Sequence, residues 1–147
     1  MNILIIEDED IAADRLKGLL QRVEPSANVI GTPVSIDESI NWFQRNDMPD
    51  LVLMDINLAD GSCFSIFDVI DITAPIIFCT AYDEYALKAF QSNGIAYLLK
   101  PILEADLRSA LEKLATLRAS LSNDGLDSRP TLKKIGNSQG GYKSRFL

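Results

Sequence analysis

Five side chains of this 147-residue chain stand where apolar runs end, and together they have the chemistry to hold or move an anionic group. Glu7 and Asp8 close the run 2–6, Asp55 closes 51–54, Thr80 closes 76–79 and Lys100 closes 95–99. Three of the five are carboxylates. If their runs are neighbouring strands, these groups repel and raise one another's pKa unless a cation intervenes. A hard, oxygen-seeking ion such as Mg²⁺ resolves that conflict, keeps several waters and leaves room for a phosphate oxygen. Lys100 adds a mobile point charge suited to a phosphoryl group or to Asp55 itself. An ionised carboxylate is already a nucleophile, so Asp55 can attack phosphorus and form an aspartyl phosphate without a general base.

The elements that must position these residues follow from hydrophobic periodicity. After 2–6, Ile11, Ala12, Leu16, Leu19, Leu20 and Val23 recur at helical spacing until Pro25. Val29 and Ile30 form a brief second strand, and Ile36, Ile40 and Phe43 mark a helix that stops near Pro49. The run 51–54 reads as a strand buried on both sides. Ala59-Asp60-Gly61 reads as a turn, and Cys63, Phe64, Phe67 and Ile70 give a helix-like face after it. A fourth strand, 76–79, follows Pro75. Tyr82, Ala86, Ala89 and Phe90 predict a fourth helix, 95–99 a fifth strand, and Leu103, Leu107, Ala110, Leu111, Leu114 and Leu117 a fifth helix.

Strands alternating with helices require right-handed crossovers, and hence a parallel sheet covered on both faces. The expected fold is α/β: a doubly wound five-stranded parallel sheet of flavodoxin-like order 2-1-3-4-5. Such sheets bind ligands beyond the carboxyl ends of their strands, where all five chemical residues stand.

Composition narrows the function classes. Hydrophobic residues make up 47% and charged residues 24%, which fits a folded domain and excludes a wholly disordered chain. No apolar run is long enough to span a bilayer, and the N-terminal run has neither the basic flank nor the cleavage site of a signal peptide, so a cytoplasmic protein without membrane association is expected. Cys63 and Cys79 suggest neither a disulfide scaffold nor a zinc site. There is no histidine, which removes imidazole ligands, histidine-based triads and any role as the histidine phosphodonor of a relay. Residues 1–121 carry 9 basic and 19 acidic side chains, whereas 122–147 carry 5 and 2. An acidic body with a basic tail argues against nucleic-acid binding by the body itself.

The segments Ile3-Leu4-Ile5-Ile6-Glu7-Asp8-Glu9, Leu53-Met54-Asp55-Ile56-Asn57-Leu58, Phe78-Cys79-Thr80-Ala81 and Tyr97-Leu98-Leu99-Lys100-Pro101 closely resemble the receiver domain of bacterial two-component response regulators. The resemblance covers 1–121. It implies that Asp55 accepts phosphate from a sensor histidine kinase, that Asp8 and Asp55 ligate Mg²⁺ directly, that Glu7 acts mostly through water, and that Asn57 supplies its backbone carbonyl. It also implies that the Thr80 hydroxyl turns to the phosphoryl oxygen with Tyr97 rotating in behind it, that Lys100 bridges to the phosphoryl group, that Lys100–Pro101 is cis, and that small Ala81 leaves a path to the phosphate. Glu7 departs from the commoner aspartate.

The stretch 81–90 together with 97–101 resembles receivers attached to LytTR-type DNA-binding domains. On that reading, 122–141 is a Gly- and Ser-rich linker and 142–147 the start of a C-terminal LytTR-type domain that is otherwise missing. The implied output is homodimerisation of the phosphorylated form through the face of helix 4, strand 5 and helix 5, with DNA contacted only by the C-terminal domain.

Plainer readings exist for each residue. Asp55 could merely start a turn, Glu7 and Asp8 could belong to the acidic first turn of a helix, Thr80 could be strand filler and Tyr97 a core aromatic. Glu9 and Asp10 are assigned to that helix, and Asp60 and Gly61 to turn geometry alone. Two rival functions stand beside the switch: a stand-alone or phosphorylation-independent interaction module, and a small phosphatase, for which 55–57 lacks a second nearby carboxylate.

Overall fold

The computed structural model describes residues 1–81 and 94–124, with side chains through 121. Its elements are β1 (Asn2–Ile6), α1 (Asp10–Val23), β2 (Asn28–Gly31), α2 (Ile36–Arg45), β3 (Leu51–Met54), a small hairpin of β4 (Asn57–Leu58) and β5 (Gly61–Ser62), a 3₁₀ helix (Cys63–Asp68), β6 (Ile76–Thr80), β7 (Gly94–Leu99) and α3 (Glu104–Asp124). The main sheet has the order β2-β1-β3-β6-β7 with every pair parallel. This is the expected doubly wound 2-1-3-4-5 arrangement.

Alternation along the strands builds a core on each face, because successive strand side chains point to opposite sides. Ile3, Ile5, Leu51, Leu53, Ile77 and Leu98 pack with Leu16, Leu19 and Leu20 of α1 and Leu107, Leu111 and Leu114 of α3. Leu4, Ile6, Val52, Met54, Phe78 and Tyr97 pack with Ile36 and Phe43 of α2, Leu58 of the hairpin and Phe64 and Ile66 of the 3₁₀ helix. Close packing also explains Gly31, where a Cβ would stand 2.6 Å from Trp42 Nε1 and 3.0 Å from Leu4 Cδ1. In both cores, burying one Leu or Ile side chain contributes about 1.5–3 kcal/mol.

Two features differ from the sequence reading. The third helix is a six-residue 3₁₀ segment. Cys63-Phe64-Ser65-Ile66-Phe67-Asp68-Val69-Ile70-Asp71-Ile72-Thr73 is rich in β-branched and aromatic residues that lose rotamer freedom in an α-helix, and Pro75 forbids extending it. The last helix runs through Asp124, three residues into the expected linker, and Gly125 follows it, a residue poor at continuing a helix. The predicted fourth helix at 82–90, the surface it would form with β7 and α3, and residues 125–147 lie outside the described residues. Among the described residues no helix is long and apolar enough to cross a membrane.

Candidate functional site at the carboxyl rim

Strand register brings the chemical residues together. β1 and β3 pair with Ile6 opposite Met54, so the next residues, Glu7 and Asp55, emerge side by side at the carboxyl rim. The Asp55 amide donates to the Ile6 carbonyl (2.9 Å) and the Glu7 amide to the Pro33 carbonyl (3.2 Å), which fixes both backbones. On the far side, β6 ends at Thr80 and the Lys100 amide donates to the Thr80 carbonyl (2.8 Å). Four elements thus converge on one patch.

Carboxylate oxygens of Glu7, Asp8 and Asp55 lie within 4.8 Å of one another. Glu7 and Asp55 are almost fully buried, 2% and 6% exposed, and Asp8 is half-buried. Lys100 Nζ reaches over them, 3.0 Å from Asp55 Oδ2, 2.8 Å from Glu7 Oε1 and 3.5 Å from Glu9 Oε1. Its approach to Glu7 Oε1 is close but not aligned for a hydrogen bond, which leaves that oxygen buried without a directed donor among the described residues. Glu7 Oε2 accepts from the Glu9 amide (3.2 Å).

The electrostatics record the crowding. Burial, with the Asp55 charge adding to it, pushes the Glu7 carboxyl up to about 7 despite the opposing pull of Lys100. Burial works against the Lys100 charge too, but its contacts with Glu7 and Asp55 outweigh that and hold the ammonium above its usual range. Burial pushes the Cys79 thiol up, which leaves it an inert apolar neighbour.

An array of oxygen donors, one of them buried and undirected, with too little positive charge to neutralise it, is the donor set that a hard divalent cation takes. Glu7, Asp8 and Asp55 are the residues that could hold one. Among the described residues, the Lys100 ammonium pairs with two of these three carboxylates, Glu7 and Asp55, and no ion pair reaches Asp8.

The remaining residues fall around this centre. Asn57 is half-buried at the start of β4, and Ala81 is exposed just after Thr80. Thr80 is fully buried, and Tyr97, 1% exposed, lies in the α2-side core opposite Phe78 on β6. The Lys100–Pro101 peptide is cis. An apolar cleft of about 350 Å³ opens beside Glu7 and Lys100, between α1 and Pro101–Ile102, with Ile11 86% exposed at its edge.

Two residues act differently from their sequence assignments. Glu9, given to the helix, also faces Lys100. Asp60, given to turn geometry, accepts from the Ile36 amide (2.8 Å) and the Asp37 amide (3.3 Å) at the start of α2. Gly61 keeps the turn role, with φ at +139°.

Comparison with known proteins agrees with this geometry. Residues 3–112 match the response regulator receiver domain family. The sensory transduction protein LytT of Bacillus anthracis is 35% identical over 116 residues, covering 77% of this chain and 46% of that protein. The positive alginate biosynthesis regulatory protein of Pseudomonas aeruginosa is 36% identical over 122 residues, with the same coverage of 77% and 46%. The chain therefore spans just under half the length of these relatives. Among solved structures, the response regulatory domain of protein mrkE from Klebsiella pneumoniae superposes with a TM-score of 0.71 at 28% identity, covering 80% of this chain and 97% of that one.

Proposed function

The chain belongs to the response regulator receiver domain family, and from that premise we propose that it is the phosphoryl-accepting switch of a two-component system, with Asp55 as the acceptor. The observation that carries this reading is Asp55 itself: a buried carboxylate 3.0 Å from an ammonium and clustered with two more carboxylates at the carboxyl rim of the sheet.

The chemistry follows from these positions. An Asp55 oxygen attacks phosphorus of a phosphohistidine on a sensor kinase. A P–O bond forms, the P–N bond breaks, and the imidazole leaves with the electron pair and takes up a proton. Lys100 lies close enough to exchange its contact with Asp55 for one with a phosphoryl oxygen. Thr80, at the end of the neighbouring strand, offers a hydroxyl on the same rim. Mg²⁺ held by Glu7, Asp8, Asp55 and the Asn57 carbonyl would offset the negative charge that gathers as two anions meet. The cleft edged by Ile11 gives the donor protein an apolar surface beside Glu7 and Lys100.

Phosphorylation adds about −1.5 to −2 charge and three strong acceptors beside Thr80 and Lys100. Their response, with Tyr97 turning behind Thr80 and Ala81 leaving access, shifts an existing equilibrium of the surface around β7. The output is homodimerisation and transcription control in the cytoplasm through a LytTR-type DNA-binding domain beginning near 142, after a linker that closes the receiver domain of 1–121. Relatives named for sensory transduction and for regulation, each about twice as long, support that output.

A small phosphodonor with Mg²⁺ should add one phosphoryl mass to the wild type and none to D55N, as read by intact-mass spectrometry. Equal labelling of both, or of neither, removes Asp55 as acceptor.

A further inference from the structure

The β4–β5 hairpin is too small to hold its own shape. It has two residue pairs, Asn57 with Ser62 and Leu58 with Gly61, whereas even longer isolated hairpins are marginal in water. Its first strand begins two residues after Asp55, so whatever fixes the hairpin also fixes the backbone leaving the acceptor. At one end the anchor is the sheet, through the Asp55 amide on the Ile6 carbonyl, while the Cys63 amide on the Ile56 carbonyl (2.7 Å) closes the base of the hairpin itself. At the other end it is α2. Leu58 packs in the core that holds Ile36, and a Cβ on Gly61 would lie 3.1 Å from Ile36 Cδ1.

The polar part of that second anchor is Asp60. The first turn of any helix has amides with no partner inside the helix. In α2 the Glu38 amide is bonded by Ser35 Oγ (3.1 Å), while the Ile36 and Asp37 amides are bonded by the two oxygens of Asp60, 24 and 23 positions along the chain. Ser35 is a cap within its own segment. Asp60 is a cap supplied by the acceptor loop, and it bonds the hairpin to the helix. The backbone amide of Ile36 holds the Asp60 carboxyl below its usual range, as an anion at a helix N-terminus should be.

We propose that Asp60 is a positioning residue for the carboxyl-rim site: by tying the hairpin to the start of α2, it fixes Asn57 and so sets the affinity of the carboxylate cluster for Mg²⁺. The inference rests on the functional reading above, in which the Asn57 carbonyl is one of the metal's ligands. Orienting groups outside the ligand set usually matter by one to two orders of magnitude. A tether acting through two residues of backbone belongs at the low end.

Comparison of Asp60 with Ser35 tests this, because both cap one helix, but Asp60 belongs to the hairpin loop and Ser35 to the helix's own segment. Isothermal calorimetry with Mg²⁺ alone is run on the full chain as wild type, D60A, D60N and S35A, with amide exchange at Leu58 and Gly61 and urea midpoints measured in parallel. D60A is expected to weaken Mg²⁺ binding about 10-fold and to speed exchange in the hairpin. D60N, which keeps an acceptor for the Ile36 amide, should fall between D60A and wild type and serves if D60A does not fold. S35A should lower the urea midpoint while leaving Mg²⁺ affinity within about twofold, since it removes a local cap only. Equal loss of Mg²⁺ affinity in S35A and the Asp60 variants, or unchanged affinity in the Asp60 variants, overturns the assignment. A wild type that does not bind Mg²⁺ overturns the underlying reading, and the role of Asp60 with it, and is distinguishable from both.

Discussion

Lys100 Nζ lies 2.8 Å from Glu7 Oε1, and among the described residues that buried oxygen has no donor aligned to bond it. The ammonium also donates a 3.0 Å hydrogen bond to Asp55 Oδ2, so one cation is shared by two buried carboxylates. A lysine held between alternatives can move from one to another when the charge beside it changes.

Removing that cation should therefore matter most when nothing else neutralises the cluster. For K100M without divalent metal at pH 8, the expected loss of stability is about 3 kcal/mol, the low end of the range for breaking a buried pair because Lys100 keeps some solvent contact. Saturating Mg²⁺ should recover most of it. Urea unfolding of wild type and K100M, each in chelator and in Mg²⁺, measures both; an equal loss in the two buffers would mean that Lys100 supports packing and not charge.

Glu7 gives a pH dependence whose sign is fixed by its raised carboxyl. The folded protein keeps the Glu7 proton up to about 7, whereas the unfolded chain loses it near the ordinary value of 4.5. Between those values the folded state binds more protons, so the stabilisation is complete below pH 4.5 and is lost as pH rises through 7. The contribution is at most about 3 kcal/mol in metal-free protein. Urea midpoints in chelator should fall between pH 5 and pH 7.5 through this group, and E7Q should remove that part of the slope. A wild-type slope retained in full by E7Q would place the titration elsewhere.

Much of this arrangement is legible in the sequence because strands write their own endings. Apolar runs that stop at Asp55, Thr80 and Lys100 locate the strand ends, and the parallel order then places those ends on one rim. Glu9 was harder to read, since an acidic first turn explains it fully without Lys100. Asp60 could not be assigned as a cap from its neighbours, because the amides it bonds belong to Ile36 and Asp37 and only the folded chain brings them near. The 3₁₀ segment had the opposite difficulty: Phe64 and Phe67, three apart, share a face in either helix type, so their spacing alone does not distinguish them.

Asp8 separates a metal centre from a cluster of acids that is merely tolerated. Its carboxylate lies with those of Glu7 and Asp55, within 4.8 Å, and it is half-buried. In metal-free protein D8N removes a like charge and should raise stability by up to about 1 kcal/mol. In Mg²⁺ at a hundred times the wild-type Kd, binding stabilises the wild type by about 2.7 kcal/mol, but a D8N protein bound at least tenfold more weakly gains about 1.4 kcal/mol or less. The substitution therefore helps in chelator and loses that advantage in Mg²⁺, because the repulsion it relieves is the same charge density that attracts the ion. Urea titrations of the two proteins in both buffers decide the matter. A D8N advantage of the same size with and without Mg²⁺ would mean that the three carboxylates hold no cation.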